Sequence, residues 1–289
     1  MVKISSFAKI NLGIEVVRRL PDGYHQIRTL FQTISLFDRM EFRALKGDRI
    51  VLEGNSPDIS WDTTNLIHRA ALLLRERSGS GRGVHIRVEK NIPSGKGLGG
   101  GSSNAAVTLF VLNRMWGLGL DQQELLGLGR RLGADVPFFL VGGFCLGEGR
   151  GDDIRPREDP EKMVCLLALP PFSIPTASIY RQHRLSLTSR DKESKIRLFL
   201  ERDDFGILVN ELEETVFRLY PQLREIKALI QGRESVLSSI SGTGSAVFGL
   251  FRSQAEAQRA AGRLTGIVPS VVVETVSRDR YWECLSTGV

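Results

Sequence analysis

A segment rich in glycine and serine at residues 93–104, with the sequence PSGKGLGGGSSN, constrains this chain more than any other feature. It contains five glycines and three serines. Glycine is costly to order, but it lets the backbone approach a ligand closely. An alternating strand pattern at 84–89 precedes the segment, and an apolar helical pattern at 105–116 follows it. A strand, a glycine-rich loop and a buried helix in this order predict a backbone cradle for phosphate at the start of the helix.

A flexible linker and three well-known nucleotide-binding motifs fit the segment less well. Linkers are often rich in glycine and serine, but a linker does not normally join a strand to a core helix. The Walker A motif requires lysine where Gly101 stands. A dinucleotide-binding fold requires a second strand that ends in an acidic residue, whereas residues 117–123 form a turn and a new helix pattern. The tripeptide DFG at 204–206 has no protein-kinase catalytic-loop motif before it. We therefore expect the loop to hold a nucleoside triphosphate.

The first predicted strand carries two polar residues on one face. Apolar residues alternate from Ile10 to Val16, so Lys9 and Asn11 project together from the opposite face. A lysine near a triphosphate can offset charge on the transferring phosphoryl group or on the attacking oxygen. On this segment alone, an ordinary surface lysine is the simpler interpretation.

The sequence PDGYH at 21–25 predicts a tight turn followed by an aromatic ring and an imidazole. Tyr24 could stack on a base while His25 forms a hydrogen bond to it. Alone, the segment fits a packed tyrosine and a solvated histidine better.

Two further segments leave their function open. In GADVPFF, at 133–139, Asp135 follows a helix that begins at an Asp121 cap and ends at Gly133. Its carboxylate could accept a proton from a substrate hydroxyl, or it could cap the next turn. The sequence SGTGSA at 241–246 could close over a ligand from another domain, or it could be a tight turn between strands.

In this order, the motifs resemble those of the GHMP kinases, a family that includes galactokinase, homoserine kinase and mevalonate kinase. The pattern PxGxGLGGGSS is similar to the family's phosphate loop. Tyr24 and His25 narrow the resemblance to the branch that acts on a cytidine-linked sugar alcohol, cytidine-diphospho-methylerythritol. Asn65 in DTTNLI, and the segment FSIPT at 172–176 with Tyr180 after it, also match that branch.

The resemblance implies a role for each matched residue. Lys9 and Asp135 would be the catalytic pair, with Asp135 taking the proton of the substrate hydroxyl. Tyr24 and Tyr180 would sandwich cytosine, His25 would bind its polar edge, and Asn11 would lie on the substrate side. ATP would be the phosphoryl donor, with Mg²⁺ expected and its protein ligands unknown. The implied ATP-binding residues are Asn65, Pro93, Ser94, Gly95, Lys96, Gly97, Leu98, Gly99, Gly100, Gly101, Ser102 and Ser103, with proline contributing only its carbonyl.

The sequence departs from the family pattern at two positions. Lys96 stands where the family usually has a small residue; it could reach the phosphates or adenine, or it could face solvent. Phe7 stands where the family usually has proline, directly before Ala8 and Lys9. Neither departure changes the glycine spacing of the loop or the position of Lys9.

The element pattern predicts two α+β domains, with the boundary between Gly149 and Lys162. We place an ATP-binding domain, implied to be like ribosomal protein S5, at 1–155 and a ferredoxin-like domain at 156–289. The charged span 181–203 predicts a mobile loop on the substrate side. Predicted strands are 2–17, 24–36, 40–45, 84–91, 163–169, 235–240, 246–251 and 271–276; predicted helices are 64–77, 104–116, 122–132, 204–216, 221–231 and 253–264.

Composition sets broader limits on function. Lys and Arg number 39 against 33 Asp and Glu, a net charge of +6. The basic residues are interleaved with acidic ones and form no long basic block, and a mildly basic surface suits anionic small substrates as well as it suits nucleic acid. Three cysteines and four histidines, all widely spaced, predict neither a disulfide framework nor a metal cluster. We expect no membrane span or signal peptide, a cytoplasmic location, and a monomer or weak homodimer. The rival hypotheses are another GHMP kinase and a non-catalytic nucleic-acid binder.

Overall fold

The computed structural model describes residues 1–79, 81–183 and 193–287. The first half of the chain forms a six-stranded sheet. Its strands are β1 (Val2–Arg19), β2 (His25–Leu45), β3 (Ile50–Gly54), β4 (Gly83–Glu89), β5 (Phe144–Glu148) and β6 (Asp153–Pro156). The long strand β2 is the centre of the sheet and pairs antiparallel with β1, β4 and β5. The pair β3 and β4 is parallel, and β6 extends the sheet beyond β5.

Four helices pack against one face of this sheet and enclose its core. They are α1 (Leu66–Ser78), α2 (Gly100–Met115), α3 (Gln122–Leu132) and α4 (Val136–Phe139). The central helix, α2, is buried at every position from Ser103 to Asn113. A helix that is apolar on all sides needs neighbours all round, and α2 has them in the sheet and in the other three helices.

The second half of the chain forms a four-stranded antiparallel sheet covered by helices on one face. The strands are β7 (Val164–Ala168), β8 (Leu237–Ile240), β9 (Val247–Phe251) and β10 (Ser270–Glu274); the helices are α5 (Thr176–Gln182), α6 (Lys195–Arg202), α7 (Glu213–Leu219), α8 (Gln222–Ile230) and α9 (Gln254–Leu264), with a 3₁₀ turn at Phe205–Ile207. The strand order is β10-β7-β9-β8, and α7 to α9 pack on the sheet. The predicted ferredoxin-like order of strands and helices is confirmed, as is the α+β class.

The two sheets meet face to face through apolar side chains of β1, β2, β7 and β9. Ile10 and Leu12 lie in this shared core, as the alternation in β1 predicts, and Lys9 projects to the other side. The last helix, α10 (Arg278–Ser286), returns to the first half and buries Tyr281 and Leu285 there. The domain division at residue 155 stays a prediction.

Three sequence predictions are wrong in detail. One strand, β2, spans the predicted strands 24–36 and 40–45, because its middle is hydrogen-bonded to β1 on one side and β4 on the other. The predicted helix 204–216 begins only at Glu213, because the segment before it bonds to the edge of β1 through Val209 and Glu211. In the span 181–203, residues 195–202 form α6 and not a loop, and residues 184–192 lie outside the described part of the chain.

Candidate active site

The phosphate loop, residues 93–103, connects β4 to the first turn of α2. Gly95, Gly97 and Gly99 have φ of 67°, 77° and 72°, values that L side chains rarely adopt. A Cβ at Gly97 would also lie 2.0 Å from the carbonyl oxygen of Ser241. The helix begins at Gly100, earlier than predicted, and its N-cap is Gly99, which has no side chain to occupy the first amides. The loop therefore presents backbone at the positive end of a 16-residue helix.

Lys9 lies beside this loop and is almost fully buried, with 3% of its surface exposed. Its backbone N–H donates to the carbonyl of Leu98 at 3.0 Å, which joins β1 to the loop. Its ammonium donates to Asn11 Oδ1 at 2.5 Å and lies 5.4 Å from the centre of the Phe31 ring. Asn11 in turn donates to the Thr29 hydroxyl at 2.9 Å. The amide of Asn11, expected on the substrate side, is thus engaged in orienting Lys9.

Asp135, at the start of α4, forms an ion pair with Lys9. Its Oδ2 lies 3.5 Å from Lys9 Nζ, and 36% of its side chain is exposed. Asp135 occupies the N-cap position of α4, yet its side chain makes no capping hydrogen bond. Of the two sequence interpretations, capping is therefore wrong, and the carboxylate is available to a ligand at the loop.

The turn that begins at Asp135 is fixed at its other end by α10. Tyr281 donates its hydroxyl to the carbonyl of Phe139, and Trp282 donates its indole N–H to the carbonyl of Val141 at 2.9 Å. The Phe139 ring also faces Gly99, where a Cβ would lie 2.7 Å from it. The short helix α4 thus carries the Asp135 carboxylate at its start and packs against Gly99 of the phosphate loop at its end.

The second glycine-rich turn, at 241–246, packs directly on the phosphate loop. The Ser241 hydroxyl donates to the carbonyl of Gly97 at 2.8 Å, and the Ala246 N–H donates to the carbonyl of Lys96 at 3.1 Å. The segment joins β8 to β9, so it is a tight turn between strands, as one of the two sequence interpretations expects. It also contacts the phosphate loop from the second domain, and its closure over a ligand stays a prediction.

Asn65 caps α1 and borders a cleft of about 310 Å³. Its side chain accepts from Ile67 N at 3.0 Å and donates to the carbonyl of Ser60 at 2.8 Å. Ser94 and Gly101 of the phosphate loop line the same cleft. A nucleotide could therefore extend from the cleft into the loop.

The rings expected around a base lie at the other side of the site. His25 faces Tyr180, with ring centres 5.2 Å apart and planes at 32°. Burial lowers the pKa of His25, and the positive charges of His183 and Arg19 add to the shift. Burial raises the pKa of Tyr180, and the negative charge of Asp135 adds to the shift. Tyr24 is 59% exposed and lies against the Arg150 guanidinium, 4.3 Å away, and not against Tyr180.

Comparisons with known proteins identify the family to which this chain is similar. The model for the GHMP kinases N terminal domain matches residues 65–143, and the model for the GHMP kinases C terminal domain matches residues 196–268. A protein of Caldicellulosiruptor saccharolyticus named 4-diphosphocytidyl-2-C-methyl-D-erythritol kinase is 36% identical over 284 residues, covering 96% of this chain and 98% of its own. One of the same name from Geobacillus kaustophilus is 38% identical, covering 97% and 98%.

The chain belongs to the GHMP kinases.

Solved structures of GHMP kinases agree with this placement. A crystal structure of 4-(cytidine 5'-diphospho)-2C-methyl-D-erythritol kinase matches with a TM-score of 0.80 and 35% identity, covering 94% of this chain and 98% of that one. A homoserine kinase from Cytophaga hutchinsonii shares the fold, with a TM-score of 0.77 at 18% identity over 96% and 94% of the chains.

The structure shows where the two departures from the GHMP pattern lie. Lys96 is only 9% exposed, so it does not face solvent. Its ammonium donates to the carbonyls of Pro170 and Phe172 in the second domain. Phe7 is buried in the first core, where its ring lies 5.7 Å from that of Tyr281.

A buried polar network beneath the loop was not predicted from the sequence. Asp38 is fully buried and accepts from the N–H groups of Asn91 and Ile92, at 2.7 and 2.8 Å, and from Asn104 Nδ2 at 2.9 Å. The Lys90 ammonium forms an ion pair with the same carboxylate. The network ties the end of β4 to α2, and so it fixes both ends of the loop.

Neither a metal cluster nor a membrane helix is found among the residues that the structure describes. No group of three His, Cys, Asp or Glu side chains in this part could hold a metal ion. No helix within it has the length and apolar character needed to cross a bilayer.

Proposed function

We infer that this chain transfers the γ-phosphoryl group of ATP to the 2-hydroxyl of 4-(cytidine 5'-diphospho)-2-C-methyl-D-erythritol, a step of non-mevalonate isoprenoid precursor biosynthesis. The observation that carries this inference is the full-length similarity to kinases named for that substrate. The pairing of Lys9 with Asp135 beside the phosphate loop supports it.

In the proposed reaction, Asp135 accepts the proton as the hydroxyl oxygen attacks the γ-phosphorus. The bond from that phosphorus to the bridging oxygen breaks, and ADP leaves. Lys9, 3.5 Å from the Asp135 carboxylate, stabilises negative charge on the attacking oxygen and the transferring group. Because little covalent chemistry is left to the protein, position and charge account for most of the catalysis.

We place the ATP phosphates on the backbone of residues 93–103 and the adenine in the cleft bordered by Asn65. Two loop side chains contribute packing and not ligand contacts. Leu98 is buried, and the Ser103 hydroxyl bonds to that of Ser6 at 2.7 Å. We therefore propose that Leu98 and Ser103 bind ATP through their backbone groups alone.

Mg²⁺ would enter with the triphosphate. This ion is commonly held by one or two carboxylates together with substrate phosphates and water, and needs no preformed cluster. The ion would neutralise charge on the β- and γ-phosphates.

We place the cytosine near His25 and Tyr180. The lowered pKa keeps His25 neutral at neutral pH, and a neutral imidazole can form a hydrogen bond with an uncharged base. The sandwich between Tyr24 and Tyr180 stays a prediction, since Tyr24 lies against Arg150 here. A cytoplasmic location and a monomer or weak homodimer also stay predictions.

A substrate comparison tests the proposed function. The purified protein, with ATP and Mg²⁺, is incubated with the cytidine-linked alcohol, with homoserine or with mevalonate, and ADP release is measured. We expect transfer to the cytidine-linked alcohol to exceed transfer to either other alcohol by at least about 10³-fold in kcat/KM, since a site built for one polar group rejects analogues that lack it. Equal or faster transfer to homoserine or mevalonate would overturn the assignment.

A further inference from the structure

Lys96 belongs to the phosphate loop, but the proposed ATP site gives its side chain no role. Its side chain is buried, and its ammonium donates to the carbonyls of Pro170 and Phe172. Both acceptors are neutral, so burial lowers the pKa of Lys96. A charged-group hydrogen bond is stronger than a neutral one. The ammonium therefore joins the loop firmly to another segment and is engaged away from the loop's own backbone.

That other segment, residues 170–176, is held between the phosphate loop and the turn at 241–246. A Cβ on Gly95 would lie 2.6 Å from the Ser173 hydroxyl, so the Gly95 backbone lies directly against the Ser173 side chain. On the opposite side, the Ser245 hydroxyl donates to the Phe172 carbonyl at 2.5 Å. The Phe172 carbonyl thus receives one donor from the loop and one from the turn.

The same segment leads directly into the helix that carries Tyr180. Pro175 is the N-cap of α5, and Ile174 and Ile179 anchor the segment and the helix in the core of the second domain. The Tyr180 ring lies 5.2 Å from His25, at the proposed cytosine site. A continuous path of contacts therefore runs from the phosphate loop through Lys96 to the proposed cytosine site.

We propose that Lys96 is a positioning residue that couples the two substrate sites, so that binding of ATP strengthens binding of the cytidine-linked substrate and the reverse. This inference rests on the proposed function, which assigns ATP to the loop and cytosine to Tyr180.

The physical basis is shared ordering. A ligand that restricts the remaining motion of the loop also restricts residues 170–176 through Lys96, and with them the start of α5. The second ligand then loses less conformational entropy when it binds, which gives positive cooperativity without a large structural change. Coupling free energies between sites typically correspond to factors of about 5 to 150 in affinity.

Calorimetric titration measures this coupling directly. The affinity of the cytidine-linked substrate is determined with and without saturating AMP-PNP and Mg²⁺, for the wild-type protein and for Lys96→Met, which keeps the length of the side chain without its charge. We expect AMP-PNP to strengthen binding at least about fivefold in the wild type. The coupling is expressed as the ratio of the two dissociation constants of the cytidine-linked substrate, without and with AMP-PNP. In Lys96→Met this ratio should fall to within about twofold of one.

A wild-type ratio near one, or an unchanged ratio in Lys96→Met, would overturn the coupling. So would a loss of AMP-PNP affinity of more than about tenfold in Lys96→Met with the ratio retained, because that is the result of a direct phosphate contact. If the wild type bound AMP-PNP but not the cytidine-linked substrate, the proposed function itself would fail, and the two failures are thus distinguishable.

Two further variants control for folding and for the loss of a lysine. Lys96→Ala places a small residue at this position, so it tests the coupling if Lys96→Met does not fold. Lys3→Met removes an exposed lysine whose ammonium pairs with Glu41 at 3.0 Å on the surface of the first sheet. We expect the wild-type ratio in Lys3→Met and the reduced ratio in Lys96→Ala. The opposite pattern would contradict the proposal.

Discussion

The two halves of the site are built in different ways. Around the phosphate loop, buried polar groups fix the backbone: Asp38 is fully buried, and Lys9 is 3% exposed. On the proposed cytidine side, the two tyrosines lie outside the long elements of the fold. Tyr24 follows a turn and is 59% exposed, and Tyr180 belongs to a helix of seven residues.

This difference matches what each half must do. Phosphoryl transfer needs reacting groups held to within a fraction of an ångström, which buried hydrogen bonds provide. Recognition of a base depends on stacking, which tolerates small shifts. We therefore expect changes on the phosphate side to lower the reaction rate or the stability of the fold, and changes on the cytidine side to alter substrate affinity alone.

The largest effect is expected for Asp135→Asn. The amide keeps the shape of the side chain but cannot accept the hydroxyl proton, so kcat should fall by about 10³-fold, within the usual range for general bases. Steady-state kinetics measure the rate, and titration with AMP-PNP should give an affinity within about threefold of the wild type. A kcat near the wild-type value would exclude Asp135 as the base.

A large loss of stability is expected for Asp38→Asn. Lys90 and Asn104 both donate to one oxygen of this carboxylate, and two backbone N–H groups donate to the other, so in either orientation the amide would place its own donor against two donors. Breaking a buried ion pair in this way typically costs about 3–5 kcal/mol of unfolding free energy, to be measured by urea denaturation. The exposed Asp153, which pairs with Arg155 at 3.2 Å, offers a matched control. Asp153→Asn should change stability by less than about 1 kcal/mol. Equal effects of the two substitutions would show that the Asp38 network does not stabilise the fold.

A smaller and more selective effect is expected for Tyr24→Ala. Loss of stacking on one base is worth about 1–3 kcal/mol, so KM for the cytidine-linked substrate should rise at least about fivefold while KM for ATP stays constant. Tyr24→Phe keeps the ring and should stay within about twofold of the wild type. If both variants raised KM for ATP, the division between the two halves would be wrong.

The smallest effect concerns pH. The pKa of His25 is lowered from its ordinary value of 6.5 by burial first, and then by His183 and Arg19. The neutral form, which we assign to base binding, therefore persists through neutral pH and is lost only as the pH falls through the lowered pKa. KM for the cytidine-linked substrate should stay flat from pH 8 to about 7 and rise only below about 6.5. A rise already complete at pH 7 would contradict a neutral His25.

The phosphate loop could be predicted from the sequence because its signal is local. Glycines between a strand and an apolar helix predict a backbone cradle without reference to the rest of the chain. The pairing of Lys9 with Asp135 could not be predicted from spacing, since tertiary structure brings the two together. Only the family resemblance indicated it.

Other features depend on contacts that no local pattern records. Asp38 resembles an ordinary strand residue in the sequence, and only the fold shows that it is buried against Lys90. For Lys96, the local sequence left phosphate, adenine and solvent as alternatives, because its acceptors lie in the second domain. The late start of α7 arises in the same way, since bonds to β1 replace the predicted helical ones at Val209.

The central claim, that the chemistry depends on one half of the site and recognition on the other, is tested most directly by single-turnover phosphoryl transfer. Rapid-quench measurements at saturating ATP, Mg²⁺ and cytidine-linked substrate compare the transfer rates of the wild type, Asp135→Asn and Tyr24→Ala. We predict that the Asp135 variant transfers about 10³-fold more slowly and that the Tyr24 variant stays within about threefold of the wild type. A Tyr24 variant as slow as the Asp135 variant would contradict the account.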